Sequence, residues 1–204
     1  MDACDQTDMS CPYLGTNVKT WASSNDKTFS TKMGAVMFHG SGERPGGIYF
    51  YHVDQFTVKG GNFWCTALVD ALAKHRETLP NKTLPRRFYL QVDSSSENKN
   101  YSFAGLTQLL VMRKIFDKVK ISFLPVGHTH EDIDAVFGRA SQNMHKSNVP
   151  INCFADCFNR LRESNSSTRA VTPIVVSDCK YFSRTMNNEL LVGDPRLRLV
   201  ARVT

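Results

Sequence analysis

The segment FLPVGHTHEDID, residues 123–134, decides how the rest of this chain is interpreted. The run from Lys120 to Val126 predicts an apolar strand, which Gly127 ends. Two imidazoles and three carboxylates then fall within residues 128–134. Because a rigid strand end holds the side chains that follow it in fixed positions, such a burst of histidine and acidic residues is typical of a functional site.

The sequence on both sides of this segment predicts alternating strands and helices. Lys32–His39 and Ile48–Val53 predict a hairpin, because two strand-like runs flank the glycine-rich turn 40–47. Helical periodicity and apolar runs predict the other elements. These are a helix from Gly61 to about Glu77, the strand Phe88–Asp93, a helix from Tyr101 to about Lys118, the strand Val119–Val126, a helix from Glu131 to about His145, a helix opening at Pro150, and short strands at Thr172–Val176 and Arg196–Val203.

Composition limits the class of protein. A chain of 204 residues is most simply one domain with a single core. Its formal charge of +6 favours a polyanionic partner. No apolar run approaches the roughly 20 residues that a membrane span needs, and the polar start is no signal peptide. The six cysteines form no C-x-x-C pair, so reduced thiols are expected. We therefore expect an intracellular protein, nuclear or cytoplasmic, with no membrane partner.

The order of the predicted elements resembles the ribonuclease H-like fold of DDE transposases and integrases, a mixed central sheet flanked by helices. In that fold one carboxylate lies on the first strand, a second at the end of the fourth strand and a third on a helix after the fifth. The run from Asp93 to Glu97 occupies the place of the integrase motif Asp-Asn-Gly-x-Glu, with the same spacing between its acids, although Ser94 replaces the usual Asn. Because the chain begins one residue before Asp2, the resemblance implies a mostly truncated first strand.

A longer signature resembles an uncharacterised eukaryotic family of transposon-derived proteins. That family combines an Asp…Glu-Asn-Lys-Asn block with FLPVGHTHEDID, and this chain carries both, the first at Asp93 and residues 97–100. The family's Asp-x-x-Asp-Gln start appears at residues 2–6. The resemblance implies a ribonuclease H-like transposase or integrase-type domain over residues 1–163, with residues 164–204 as a C-terminal extension of the same domain that carries short strands.

The chemistry that this resemblance implies is two-metal cleavage or strand transfer of phosphodiesters, with DNA as the expected partner. Two Mg²⁺ or Mn²⁺ ions about 3.5–4 Å apart hold the attacking and leaving oxygens in line. Carboxylate oxygens suit these hard cations. The implied metal ligands are Asp2, Asp93, Asp134, Glu97 and Asp132.

The third acid is chosen among Glu131, Asp132 and Asp134. Asp134 comes first, because Ile133 and Phe137 are i,i+4 on the buried side of a helix that starts near Glu131, and the next position can face the site. Two further catalytic candidates, His128 and His130, alternate along an extended segment and so point the same way. They could position a water or a phosphate, or bind metal themselves.

Structural roles compete with these assignments. Asp132 and Asp134 fall in the first turn of a helix, where the dipole favours carboxylates whatever the chemistry. Glu97 can simply help to begin the helix that follows the strand. Exposed basic residues are usually a solvated face, yet here they also fit a surface that binds a phosphate backbone. They are Arg86, Arg87, Arg113, Lys114, Lys118 and Lys120.

Other functions remain open at this point. A catalytically inactive, domesticated transposase remnant that binds nucleic acid or protein would keep the same signature. Gly-His-Thr-His is also a motif of metallophosphoesterases, a weaker alternative, because the other ligand motifs of that class do not occur here. Residues 128–132 match most of a metallo-β-lactamase motif, but Ile133 stands where the last histidine belongs. The sequence does not define an oligomeric state.

Overall fold

The structure, a computed structural model, describes residues 1–3, 10–11, 29–30, 32–53, 60–94, 99–124, 132–146, 150–151, 153, 156–157, 159–160, 163 and 170–176. It is a mixed α/β fold. The strands β1 to β8 are Asp2–Ala3, Ser10–Cys11, Phe29–Ser30, Lys32–Phe38, Gly47–Val53, Arg87–Val92, Lys118–Phe123 and Ala170–Val176. The helices α1 to α3 are Gly61–Thr78, Tyr101–Met112 and Asp132–Lys146. None of the helices in these ranges is long and apolar enough to cross a membrane.

The largest sheet has the strand order β1-β4-β5-β8. The predicted hairpin is confirmed, because β4 and β5 pair antiparallel along their whole length, from Lys32 opposite Val53 to Phe38 opposite Gly47. Strand β1 adds antiparallel to the other side of β4, with Asp2 opposite Ala35. The predicted strand near Thr172 is β8, which pairs parallel with β5. The short strands β2 and β3 form a separate antiparallel ladder.

Strands β6 and β7 form a second, parallel pair, with Arg87 opposite Lys118 and Val92 opposite Phe123. Parallel neighbours need a crossover connection, which helix α2 supplies here. The first residue links this pair to the larger sheet, because the Met1 ammonium donates a hydrogen bond of 2.9 Å to the Gln91 carbonyl in β6. At this point of the fold the chain start therefore lies between β4 and β6.

The core lies on both faces of the larger sheet. One cluster joins Val36, Tyr49 and Tyr51 to helices α1 and α2 and to Leu90 and Val92 of β6. The other joins the alternate residues of β4 and β5 to helix α3. Because successive strand residues point to opposite faces, the apolar content of β4 and β5 serves both clusters, and α3 is held on the face opposite to α1 and α2.

The prediction that the second helix runs to Lys118 is wrong, because α2 ends at Met112. Lys114 adopts a left-handed φ of 56°, which breaks the helical repeat. Phe116 then turns inward and stacks on Phe88, with ring centroids 5.0 Å apart. The Asp117 N–H donates to the Arg86 carbonyl at 2.8 Å, so β7 starts in register beside β6.

Near the C-terminal end the structure describes only parts of the predicted elements. Of the helix predicted from Pro150, residues 156, 157, 159, 160 and 163 are helical. Ile151 and Cys157 are buried in the α3 cluster. The strand predicted at Arg196–Val203 lies outside the described residues.

Candidate functional site

The carboxyl ends of β6 and β7 hold Asp93 in place. The strand ends at Val92, so the half-buried Asp93 follows it directly, as the sequence predicts. Two hydrogen bonds tie this end together. The Leu124 N–H donates to the Val92 carbonyl at 3.0 Å, and the Ser94 hydroxyl donates to the Leu124 carbonyl. The two residues on either side of Asp93, Val92 and Ser94, are therefore both hydrogen-bonded to Leu124, which follows β7.

Helix α3 brings two of the predicted acids to its first turn. Ile133 and Phe137 are buried, 5% and 6% exposed, which confirms the predicted inner side of the helix. Asp134 is half-buried, whereas Asp132 is exposed. The Asp132 carboxylate lies 3.7 Å from Nδ1 of His39, at the end of β4. Both side chains are largely exposed to water, so this pair adds little stability, but it shows that the start of α3 lies beside the end of β4.

Asp2 is described through its backbone. It lies in β1, opposite Ala35 of β4. The residue before it donates the hydrogen bond to Gln91, and Asp93 follows Gln91 two positions later. The backbone positions 2 and 93 are therefore each within two residues of one hydrogen bond that joins β1 to β6.

A cavity of about 520 Å³ lies between the end of β4 and β6. Its walls include Met1, Gln91, Leu124 and Ile133. Met1 precedes Asp2, Gln91 and Leu124 flank the Asp93 turn, and Ile133 lies between Asp132 and Asp134. The cavity is in the size range of ligand sites. It is walled by sequence neighbours of the predicted acids, whereas Asp93, Asp132 and Asp134, the acids whose side chains the structure describes, are not among its lining residues.

The same cavity is lined by a buried histidine, His75 of α1. Its ring stacks on Phe38, with centroids 4.1 Å apart and planes within 3°. Nδ1 lies 3.5 Å from the Tyr49 and Thr78 hydroxyls. Burial lowers the pKa of His75 from its ordinary value, because desolvation disfavours the charged imidazolium. The aromatic stack indicates a structural role for His75.

Four of the predicted site residues, Glu97, His128, His130 and Glu131, lie outside the described residues. Their roles stay predictions. Among the residues that the structure describes, no group of three or more histidine, cysteine, aspartate or glutamate side chains comes together to hold a metal. Asp93, Asp132 and Asp134 are thus the predicted acids whose side chains the structure describes.

The predicted basic cluster is divided among three places. Arg87, Lys118 and Lys120 are exposed on one face of the β6–β7 pair. Arg113 and Lys114 lie instead in the turn after α2. Arg86 is paired with Asp117 at 3.1 Å. Strand periodicity could have separated these sets, because alternate residues of a strand share a face.

Two contacts at the site are absent from the sequence prediction. Asn100 caps α2, since its side-chain oxygen accepts from the Phe103 N–H at 2.8 Å. The preference of asparagine for this position was the signal that could have found it. The contact of His39 with Asp132 had no such signal, because it joins residues far apart in sequence and depends on the packing of α3.

Comparison with known proteins identifies the family. Residues 22–188 match the model of a domain of unknown function, DUF7869, and the chain belongs to this family. No curated protein and no solved structure matches the chain.

Proposed function

We propose that this member of the DUF7869 family is a ribonuclease H-like domain of the DDE transposase and integrase type, derived from a transposon, that cleaves or transfers phosphodiesters. The order of its elements supports the proposal. Apart from the short ladder β2–β3 and the last strand β8, the strands run β1, β4, β5, β6 and β7, with α1 before β6, α2 after it and α3 after β7. Asp2 then lies on the first of these strands, Asp93 at the end of the fourth and Asp134 on the helix after the fifth.

One observation carries the functional part of the proposal. A single cavity is lined by Met1 and Ile133, the sequence neighbours of Asp2 and Asp134, and by Gln91 and Leu124, which flank the turn that carries Asp93. These residues come from separate elements of the fold, and convergence of carboxylates from separate elements is what a two-metal site requires. The resemblance assigns the metal ligands to Asp2 in β1, Asp93 just after β6 and Asp134 in α3, each within two residues of one of these lining residues.

The described side chains fit Mg²⁺ or Mn²⁺ in their donor chemistry. Asp93 and Asp134 are both half-buried carboxylates at the ends of rigid elements, and hard cations prefer such oxygens. When bound, the metal pair would supply a nucleophilic water and stabilise charge on the leaving oxygen. Asp93 and Asp134 would hold the pair, and the Ser94 hydrogen bond to Leu124 would fix the turn that carries Asp93.

A second candidate function is a binding module without catalysis. The exposed basic residues Arg87, Lys118 and Lys120 favour it, because a surface that binds a phosphate backbone needs no metal. A binding module of this kind would share the proposed transposon ancestry but would not cleave or join phosphodiesters.

Cleavage of end-labelled DNA separates the two functions. With Mn²⁺ or Mg²⁺, the active domain nicks or joins strands, and Asp93→Asn and Asp134→Asn each abolish the activity. Asp117→Asn is the matched control, because Asp117 precedes β7 and so lies at the opposite end of the parallel pair from Asp93. DNA binding without metal-dependent cleavage, unchanged by Asp93→Asn, would favour the binding module.

A further inference from the structure

One face of the β6–β7 pair is open. Arg87, Tyr89 and Gln91 alternate along β6, and their partners on β7 are Lys118, Lys120 and Ser122. All six residues are exposed, and we call this surface the open face. The opposite face carries residues such as Leu90 and Val92, which are buried in the core with α1 and α2. A strand pair normally covers or solvates its second face, so the chemistry of the open face indicates its partner.

The charge of the open face is all of one sign. It has three cations, Arg87, Lys118 and Lys120, and no carboxylate. Within the part of the chain that the structure describes, none of the three forms an ion pair. By contrast, Arg86 just before β6 is paired with Asp117. A row of cations without counter-charges is complementary to a polyanion.

An aromatic ring lies among these cations. Tyr89 is 64% exposed, although it lies in the middle of a strand. Its cross-strand partner is Lys120, and Arg87 and Gln91 flank it on the same strand. A large exposed ring on a sheet is a surface on which an unstacked nucleic-acid base can lie, with nearby cations at the phosphates.

The dimensions of the open face limit the ligand. From Lys118 to Ser122 it extends about 13 Å along the strands, and the two strands are about 4.8 Å apart. One aromatic ring and three cations in this space match one stacked base with its neighbouring phosphates. A duplex keeps its base faces stacked on one another and offers Tyr89 nothing to contact, so an unpaired strand is the better partner.

We propose that the open face binds single-stranded nucleic acid, with a base stacked on Tyr89 and phosphates held by Arg87, Lys118 and Lys120. The choice of a nucleic-acid ligand rests on the proposed function, but binding at this face requires neither metal nor the acids at the strand ends. The face therefore serves to hold a strand beside the cavity, since Arg87, Tyr89, Gln91 and Ser122 also line that cavity.

The test is the fluorescence anisotropy of a labelled oligothymidine, titrated with the full chain in EDTA. Tyr89→Ala weakens binding roughly 5- to 150-fold, as loss of one stacked base predicts, and Tyr89→Phe keeps most of the affinity. Lys120→Gln weakens binding and lowers the salt slope by about 0.7. The matched controls are Tyr101→Ala, a tyrosine that is 91% exposed at the start of α2, and Lys114→Gln, an exposed lysine in the turn after α2 that, like Lys120, forms no ion pair in the described part of the chain. Both leave the affinity unchanged.

Three results would overturn the proposal. The first is an equal loss of affinity in Tyr89→Ala and Tyr101→Ala. The second is a higher affinity for a duplex of the same length than for the single strand. The third is complete displacement of the oligothymidine by polyglutamate, which would mean that the open face binds any polyanion. Oligodeoxyuridine and oligouridine, which differ in the sugar alone, tell whether the 2′-hydroxyl contributes to binding. Because the assay contains EDTA, it measures strand binding apart from any metal-dependent chemistry at the strand ends. Loss of strand binding alone refutes this face, whereas loss of metal-dependent cleavage alone refutes the proposed catalysis.

Discussion

The Ser94 hydroxyl bond to the Leu124 carbonyl closes the turn that carries Asp93, and its removal has a predictable cost. Ser94→Ala deletes the donor and leaves a half-buried carbonyl without it. A neutral hydrogen bond of this kind contributes about 0.5–1.5 kcal/mol net. The Leu124 N–H bond to Val92 remains in the variant, so the strands stay paired and the loss is local. We therefore expect the free energy of unfolding to fall by about 1 kcal/mol and the Tm by roughly 2–4 °C.

Urea unfolding measures the free energy, and amide hydrogen exchange of the peptide that contains Leu124 tests the location. A local loss of about 1 kcal/mol accelerates exchange roughly 5-fold there, with little change in α1. Ser122→Ala is the matched control, because Ser122 is an exposed serine on the neighbouring strand. Equal stability of Ser94→Ala and Ser122→Ala, with unchanged exchange at Leu124, would refute the idea that this bond fixes the site.

Three other predictions follow from the core and its titratable groups. A Cβ at Gly34 would lie 2.6 Å from Cη2 of the buried Trp64 ring, so Gly34→Ala lowers the free energy of unfolding by about 1–3 kcal/mol. Gly42→Ala is the comparison, because its Cβ meets nothing within 4 Å and only its positive φ strains the backbone. Burial lowers the pKa of His75 below its ordinary 6.5, so the unfolded state binds a proton at a higher pH than the folded state does. The free energy of unfolding therefore falls as the pH drops through about 6.5. Urea unfolding at about pH 7.5 and about pH 5.5 measures this difference, which is smaller in His75→Phe. The Cys153 thiol is exposed, whereas burial raises the pKa of the Cys65 thiol to about 12. Mass spectrometry after brief alkylation of the native protein is therefore expected to find the label on Cys153 and none on Cys65. Equal labelling would contradict the buried position of Cys65.

Local pattern was enough to predict most elements of this fold. The alternation of β4 and β5, the apolar run of β6 and the helical spacing in α1 are each contained within one element, so periodicity identifies them. The end of α2 was predicted wrongly, because residues 113–117 retain helical character in sequence. Their turn is imposed by tertiary contacts, the Phe116 stack on Phe88 and the Asp117 bond to Arg86.

The candidate site was predictable only where it depends on strand and helix ends. Asp93 follows β6, and Asp134 lies in the first turn of α3, because the apolar runs before and after them fix those boundaries. The Met1 bond to Gln91 and the shared cavity join residues about ninety positions apart. No periodicity carries such information. The open face was hidden for a related reason, since it requires the register of β6 against β7.

The most direct test of the central claim, that Asp93 and Asp134 belong to one divalent-metal site, is the Tm of the full chain with and without Mn²⁺. At a hundredfold excess over Kd, linkage contributes about 2.7 kcal/mol, which corresponds to a rise of roughly 5–11 °C. Asp93→Asn and Asp134→Asn each remove most of this rise, whereas Asp117→Asn, about 20 Å away along the strand, retains it. Absence of any metal effect, with Asp93→Asn silent, would contradict the claim, and so would stabilisation by Zn²⁺ alone, because imidazoles would then dominate the site.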